Sequence, residues 1–205
     1  NFNLSSLSTL NVSNDATSDA SNLVSLLASE IAIDASSLTS ISGSVSDLST
    51  LYAANDITGL GNEAISFASA LSVANANTVS ALTTAAVTAA LSEGDMSTLA
   101  GLTETGNAYT VTVTDTSGVS ASALTALAGK TTVDVNASAV TSVTGSVSEL
   151  TALYAANDIT GLGNEAISLS ETISVANANT VSALTTGAVT AALSEGDMST
   201  LAGLT

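Results

Sequence analysis

Apolar residues recur in pairs three positions apart, and each pair follows small polar residues. The segments SDLSTLY, NTVSALT, DMSTLAGL and SALTALAG show this spacing. A three-residue spacing places both apolar side chains on one face of one or two helical turns. The pairs in these segments are Leu48 with Leu51, Val79 with Leu82, Met96 with Leu99, and Leu124 with Leu127. The pattern therefore predicts a series of short amphipathic helices.

Serine and glycine mark the predicted ends of these helices. Ser44 with Asp47, and Ser146 with Glu149, have the spacing of a capping box. In that motif the serine oxygen and the acid each satisfy a free backbone N–H group at the helix start. Glycine follows three of the predicted helices, where a helix would stop, at Gly101, Gly129 and Gly203.

Between the predicted helices lie runs in which β-branched apolar residues alternate with polar ones. Such alternation is typical of half-buried strands. The clearest runs span residues 31–33, 109–113, 132–135 and 140–143. Successive helical pairs begin 17 to 31 residues apart along the chain. This spacing is close to the roughly 20 to 29 residues of a leucine-rich coil.

Strands that alternate with helices on this spacing are expected to run parallel, because a hairpin turn is too short to contain a helix. The sequence therefore predicts an α/β repeat solenoid with leucine-rich-repeat-like coils, each made of short parallel strands and a short helix. Such a coil cannot bury its own apolar side, whereas stacked neighbours share one core. A right-handed parallel β-helix is the alternative, since the Ser, Thr and Val content suits strands almost anywhere.

A long repeat underlies these short units. Residues 41–103 match residues 143–205 at an offset of 102, with 11 differences. Residues 1–40 are a diverged version of residues 103–142, since LNVSND corresponds to VTVTDT. The sequence thus predicts two long repeats, at residues 1–103 and 104–205, within one continuous solenoid. Because both ends fall at the same phase of the repeat, we expect an excerpt from a longer array.

The charge of the chain is strongly one-sided. Eighteen acidic residues stand against one basic residue, Lys130, for a formal charge of -17. Nucleic acid and anionic lipid both require several cations, so we expect neither partner. Carboxylates without basic partners are expected either to be hydrated or to bind metal cations, which favours an extracellular or cell-surface location.

Two further absences in the sequence bear on function. The chain has no His and no Cys, so the common pairs of nucleophile and base are missing. We therefore expect no enzyme activity and no small-molecule substrate. Apolar runs stay well below the roughly 18 residues of a membrane span, so we expect no membrane insertion.

The segment ANDITGLGNE occurs in both long repeats and is rich in oxygen ligands of the kind that calcium prefers. The candidate ligands are Asp56, Glu63, Asp158 and Glu165. Calcium is accordingly the one cofactor that the sequence suggests. In the alternative interpretation, Gly59 and Gly61 form a tight turn while the acids are solvated.

A second acidic motif, SEGD, also occurs twice. It contributes Glu93 with Asp95, and Glu195 with Asp197. Each pair directly precedes a predicted helix, where the helix dipole stabilises negative charge. We therefore expect both acids of each pair to lie at the N-terminus of the helix that follows.

The segments ANDITGLGNEAIS, VTVTDTSGVSASALTALAGKTTVDVNASAVTSVTGS and SELTALYAA extend over much of the chain. In these segments the chain resembles repeat tracts of very large secreted or cell-surface exoproteins of marine cyanobacteria and other aquatic bacteria, which are adhesin-like and associated with RTX repeats. The resemblance implies a non-catalytic structural module that forms a rod, filament or surface layer and associates with itself end to end or laterally. A calcium-dependent adhesin is the alternative. The resemblance carries over no functional residue.

Overall fold

The computed structural model of the chain describes residues 9–13, 18–29 and 31–205. Contacts within the chain divide it into two compact units. The first comprises the described part of Asn1–Ser92 together with Leu102–Tyr109. The second comprises Glu93–Gly101 together with Thr110–Thr205. The boundary of the long repeats after residue 103 was inferred from the repetition of the sequence. It stays a prediction.

Short strands and short helices alternate through the described residues. The strands are β1 (Thr9–Ser13), β2 (Ser18–Asp19), β3 (Ala32–Ser37), β4 (Ser40–Ser42), β5 (Ile57–Thr58), β6 (Ala64–Ser66), β7 (Val87–Ala90), β8 (Ala108–Thr110), β9 (Val119–Ser120), β10 (Val135–Asn136), β11 (Ser142–Gly145), β12 (Ile159–Thr160), β13 (Ala166–Ile173) and β14 (Val189–Leu193). The helices are α1 (Ala20–Leu27), α2 (Val45–Ala53), α3 (Val73–Ser80), α4 (Met96–Leu99), α5 (Ala121–Ala128), α6 (Val147–Ala155), α7 (Val175–Ser182) and α8 (Met198–Leu201). We use "coil" for one passage of the chain through strand and helix.

In the first unit, strands of successive coils pair with one another in two sheets, ordered β1-β3-β5 and β2-β4-β6-β7-β8. Ile41 lies opposite Ile65, and Ile65 lies opposite Val87, in parallel register. All three side chains are fully buried. Burial of one such side chain contributes about 1.5 to 3 kcal/mol, so this apolar ladder is a main part of the core.

The second unit has the same organisation, with sheets ordered β10-β12 and β14-β13-β11-β9. Its apolar ladder runs from Val119 through Val143 and Ile167 to Val189, again in parallel register. Each residue of the ladder thus meets its counterpart 22 to 24 positions along the chain. Parallel sheets with helices between the strands confirm the predicted α/β class, and the helices favour it over a β-helix.

The helices turn their predicted apolar pairs inward. Leu48 and Leu51 on α2 are fully buried, as are Leu124 on α5 and Leu150 on α6. Serine begins several of these helices. Ser146 and Glu149 form the complete capping box, and Ser44 accepts the N–H group of Asp47 at 3.0 Å. The predicted helix starts are therefore confirmed at both positions.

Two local predictions were wrong, and two predicted strands were only partly confirmed: β8 ends at Thr110 within residues 109–113, and β11 begins at Ser142 within residues 140–143. The helix expected to carry Val79 and Leu82 ends at Ser80, and Leu82 donates its N–H group to the Val79 carbonyl in the turn that follows. The strand expected over residues 132–135 includes only its last residue. Residues 132 and 133 form a bend after α5, which leaves Val133 37% exposed. In both places the chain has to turn before the next strand, and that turn interrupts the local pattern.

Candidate functional site

The segment predicted to bind calcium forms a tight loop between β5 and β6. Gly59 and Gly61 have φ angles of +85° and +120°, which favour glycine because it has no Cβ atom. A Cβ atom on Gly59 would lie 2.5 Å from the Cα atom of Ser36 on β3. The turn expected at these glycines is therefore present, and close packing on the neighbouring strand requires Gly59.

The loop encloses the carboxylate of Glu63, which is fully buried. The Gly61 N–H group donates to both carboxylate oxygens, at 3.1 and 2.9 Å, and the Asn62 N–H group donates at 3.1 Å. Successive N–H groups that converge on one anion form a backbone nest, which supplies partial positive charge without a basic side chain. The Thr83 hydroxyl donates to the Glu63 carbonyl at 2.7 Å and joins the loop to the following coil.

The second copy of the loop repeats this arrangement around Glu165, which is 1% exposed. The N–H groups of Gly163 and Asn164 donate to its carboxylate at 2.9 to 3.1 Å. The Tyr154 hydroxyl donates to the same carboxylate. Burial, and then this bond to Glu165, raises the pKa of the Tyr154 phenol. The equivalent hydroxyl, that of Tyr52, is buried and has no hydrogen-bond partner among the described residues.

These positions divide the candidate calcium ligands into two kinds. Asp56 and Asp158 are exposed, whereas Glu63 and Glu165 are buried with their oxygens bonded to backbone N–H groups. The expectation that all the acids in this turn are solvated was wrong for the two glutamates, because the nest replaces their water. Within the described residues, His, Cys, Asp and Glu side chains form no group of three or more that could hold a metal. Calcium binding stays a prediction, and melting in calcium and then in chelator checks it.

The aspartates of the SEGD motifs begin short helices. Asp95 accepts the N–H group of Thr98 at 2.9 Å at the start of α4, and Asp197 accepts that of Thr200 at 2.9 Å at the start of α8. Hydrogen bonds from Ser199 and Thr200 lower the pKa of Asp197 to about 2. Hydrogen bonds from Ser97 and Thr98 lower the pKa of Asp95 as well. The predicted role of both aspartates is confirmed.

Glu195 acts on a different helix from the one expected. It accepts the N–H group of Val175 at 3.2 Å, so it lies at the N-terminus of α7 and not of α8. The two acids of this SEGD motif therefore accept N–H groups at the starts of two different helices, α7 and α8, in neighbouring coils. The prediction that both acids lie at the following helix was wrong for Glu195, because a strand and its turn bring this residue beside the preceding helix.

Two other acids make the same kind of contact across coils. Asp115 accepts the N–H group of Met96 at 2.5 Å, and Glu171 accepts that of Val147 at 2.9 Å. In each case the donor is the first residue of a helix, α4 or α6, and the acid lies 19 or 24 positions further along the chain. Helix N-termini stabilise carboxylates through free N–H groups and the helix dipole. The recurrence of acids about one coil after a helix start is the signal that could have found these contacts.

The acidic residues are therefore held largely by backbone N–H groups. Carboxylates that accept such groups include Asp19, Asp34, Glu63, Asp95, Asp115, Glu149, Glu165, Glu171, Glu195 and Asp197. The expectation that carboxylates without basic partners must be hydrated or bind metal was incomplete, because it left out the backbone as a donor. A large acidic excess in this chain does not by itself require cations in the loops.

No family model, no curated protein and no solved structure matches this chain. None of the described helices is both long enough and apolar enough to cross a membrane.

The second unit also presents an apolar face along the outer side of α7 and β14. A cavity of about 210 Å³ lies on this face. It is lined by Ala178, Asn179, Ser182, Val189, Ala191, Leu193, Leu204 and Thr205. We term these residues the β14 face. Strand β14 is the last strand in its sheet, so its outer edge has no strand partner among the described residues.

Proposed function

We propose that the chain is a non-catalytic structural module in which coils of 22 to 24 residues stack one upon another as a solenoid. The parallel register carries this proposal. Val119, Val143 and Ile167 lie opposite one another in successive strands, and Ile41, Ile65 and Val87 do the same in the first unit. Each strand therefore pairs with its counterpart one coil further along the chain, which is how a stack grows.

Hydrogen bonds between coils support the same proposal. The Thr83 hydroxyl joins one loop to the coil before it, and the Thr185 hydroxyl makes the equivalent 2.7 Å bond to the Glu165 carbonyl. The acidic caps on Met96 and Val147 also link one coil to the next. Bonds that recur at the period of the coil hold the stack in register as well as in contact.

Such a module provides length and a regular surface. We propose that it belongs to an extracellular or cell-surface protein and contributes to a rod, filament or surface layer by end-to-end or lateral self-association. The acidic exterior supports this role, since a net charge of -17 keeps a repetitive surface soluble. The resemblance to exoprotein repeat tracts points to the same location.

Small-angle X-ray scattering of lengthened chains tests the stacking. One or two further copies of residues 104–205 would be added to the full chain, and the maximum dimension would be measured for each. Each copy contributes four helices, hence four coils, at about 4.8 Å per coil. We expect equal increments of about 20 Å with an unchanged cross-section. Increments near the roughly 30 Å diameter of a separate small domain would contradict the proposal.

A further inference from the structure

The two nests are built from the same residues and yet differ at their tyrosine. The segment LYAANDITGLGNEAIS occurs unchanged at residues 51–66 and 153–168. The Tyr154 hydroxyl donates to the buried Glu165 carboxylate. The Tyr52 hydroxyl is buried without a hydrogen-bond partner among the described residues. Because the segment itself is identical, this difference has to come from residues outside it.

One of the differences between the two copies lies directly against the nest. Position 85 is an alanine in the first copy, and its counterpart, position 187, is a glycine. A Cβ atom on Gly187 would lie 2.6 Å from the carbonyl carbon of Glu165 and 2.8 Å from the carbonyl oxygen of Asn164. Non-bonded carbon atoms pack at about 3.5 to 4.0 Å. The following coil therefore approaches the Glu165 nest this closely only because residue 187 has no side chain.

Ala85 carries the methyl group that this spacing excludes. The backbone around Glu63 therefore has to lie further from residue 85 than the equivalent backbone does in the second copy. The Ala85 N–H group donates to the Thr83 hydroxyl at 3.1 Å, whereas the equivalent bond of the second copy is 2.9 Å. A displacement below about 1 Å decides whether a phenol comes within the roughly 3.0 Å that a hydrogen bond to a carboxylate requires.

We propose that position 85, with its counterpart 187, is a positioning residue that sets how tightly each nest closes. Gly187 allows a closed nest in which Tyr154 is bonded to Glu165, and Ala85 leaves the first nest one hydrogen bond short. Local opening of a protein begins where such bonds are fewest. The Glu63 loop is thus the part that opens first. This inference goes beyond the proposed stacking, because it assigns different strengths to two loops of the same sequence.

Amide hydrogen exchange, followed by NMR, measures the opening of each nest. The N–H groups of Gly61 and Gly163 are the reporters, since each donates to the buried carboxylate. Their neighbours in the sequence are identical, so the two groups exchange equally fast when the loops are open. We expect Gly163 to exchange about tenfold more slowly than Gly61, because one further hydrogen bond holds the charged group of its nest. The amides of Ile65 and Ile167 in the buried ladders report global unfolding, which separates it from local opening.

Exchange of the two residues should exchange the behaviour of the nests. Ala85→Gly should slow the Gly61 amide about tenfold, although a change from alanine to glycine ordinarily loosens the backbone. Gly187→Ala should speed the Gly163 amide by a similar factor. Gly196→Ala is the matched control, because a Cβ atom there meets no other atom within 4 Å, and it should leave Gly163 unchanged.

A double-mutant cycle tests the part played by the tyrosine. Tyr52→Phe should leave the Gly61 amide unchanged in the unsubstituted chain and should reverse the slower exchange gained in Ala85→Gly. A Gly61 amide that is unchanged or faster in Ala85→Gly would overturn the proposal. So would an equal effect of Tyr52→Phe in both backgrounds. Each reporter lies within one compact unit, so these outcomes are independent of the scattering test of the stack.

Discussion

Leu99 and Leu201 occupy the same place in a helix of the same sequence, MSTL, yet Leu99 is fully buried and Leu201 is half-buried. Met198 is 79% exposed, whereas its counterpart Met96 is half-buried. Both helices form all the same, because each begins with an aspartate that caps it. The comparison shows that helix formation in this repeat is local, while burial depends on which part of the molecule lies against the helix.

A second difference between the copies concerns charge. The first N–H group of α6 is bonded to Glu171, whereas the residue equivalent to Glu171 in the first copy is Ser69. A cavity of about 470 Å³ lies beside Val45 at the start of α2, and Ser69 is among its lining residues. The two copies therefore differ at this helix start: an acid accepts the first N–H group of α6, and the equivalent position beside α2 carries no acid.

The largest expected effect is one in which the two copies behave alike. Gly59→Ala and Gly161→Ala should each destabilise the chain by about 3 kcal/mol, from a positive φ and a Cβ atom forced onto the backbone of the neighbouring coil. The atom would lie 2.5 Å from Ser36 Cα in the first copy and 2.7 Å from Ser138 Cα in the second. Urea unfolding measures both. Gly118→Ala is the control, with a positive φ but no atom within 4 Å, and should cost only about 1 kcal/mol.

Glu63→Gln and Glu165→Gln should each cost about 2 kcal/mol in urea unfolding, since hydrogen bonds to a buried charged group contribute about 1.5 to 3 kcal/mol. The substitution keeps the shape of the side chain but places an amide donor against the N–H groups of the nest. Asp56→Asn is the matched control, because that carboxylate is exposed. An equal loss in the control would contradict a structural role for the nest.

The tyrosines separate the two copies. Tyr154→Phe should cost about 1.5 kcal/mol, because it removes a hydrogen bond to the Glu165 carboxylate. Tyr52→Phe should be close to neutral, since the Tyr52 hydroxyl has no hydrogen-bond partner among the described residues. Thermal melts of the two single variants give the comparison. Equal losses would mean that the two nests are alike, contrary to the structure.

Exchange of the acidic cap should make one copy resemble the other. Glu171→Ser should destabilise by about 0.5 kcal/mol, and Ser69→Glu should stabilise by a similar amount despite the added negative charge. Both effects should shrink in high salt, because the contact is exposed. Melting at low and high ionic strength measures them. A loss of stability in Ser69→Glu at every salt concentration would show that overall repulsion outweighs the helix start.

The smallest expected effect is the response to acid of the capping aspartates. The pKa of Asp197 is lowered to about 2 from an ordinary value near 3.8. A carboxyl with a lowered pKa stabilises the fold above its ordinary value, and this contribution is lost as the pH falls from about 4 through about 2. Carbon-13 titration of the carboxyl measures the pKa, and Asp197→Asn should remove the dependence. Asp95 should shift in the same direction, and an unshifted value in either copy would contradict the capping geometry.

The local elements of this protein could be predicted from its residues. The caps at Ser44 and Ser146, the helix starts that they define, and the turn at Gly59 each depend on atoms within a few positions along the chain. Alternating β-branched runs and the spacing of the helices then indicate parallel strands. These predictions hold because a hydrogen bond within one helical turn, or a φ angle that only glycine adopts readily, needs no distant partner.

Contacts that span a coil were decided only by the tertiary structure. Glu195 accepts an N–H group at the start of α7 instead of α8, and Asp115 does the same at the start of α4, 19 residues earlier in the chain. Leu201 is half-buried, whereas its counterpart Leu99 is fully buried. The buried position of Glu63 was likewise missed, because composition shows a carboxylate but not the N–H groups that surround it. Which groups meet across 20 residues depends on the path of the intervening loop and on the strand register. Those are set by packing between coils, which no single segment of the sequence specifies.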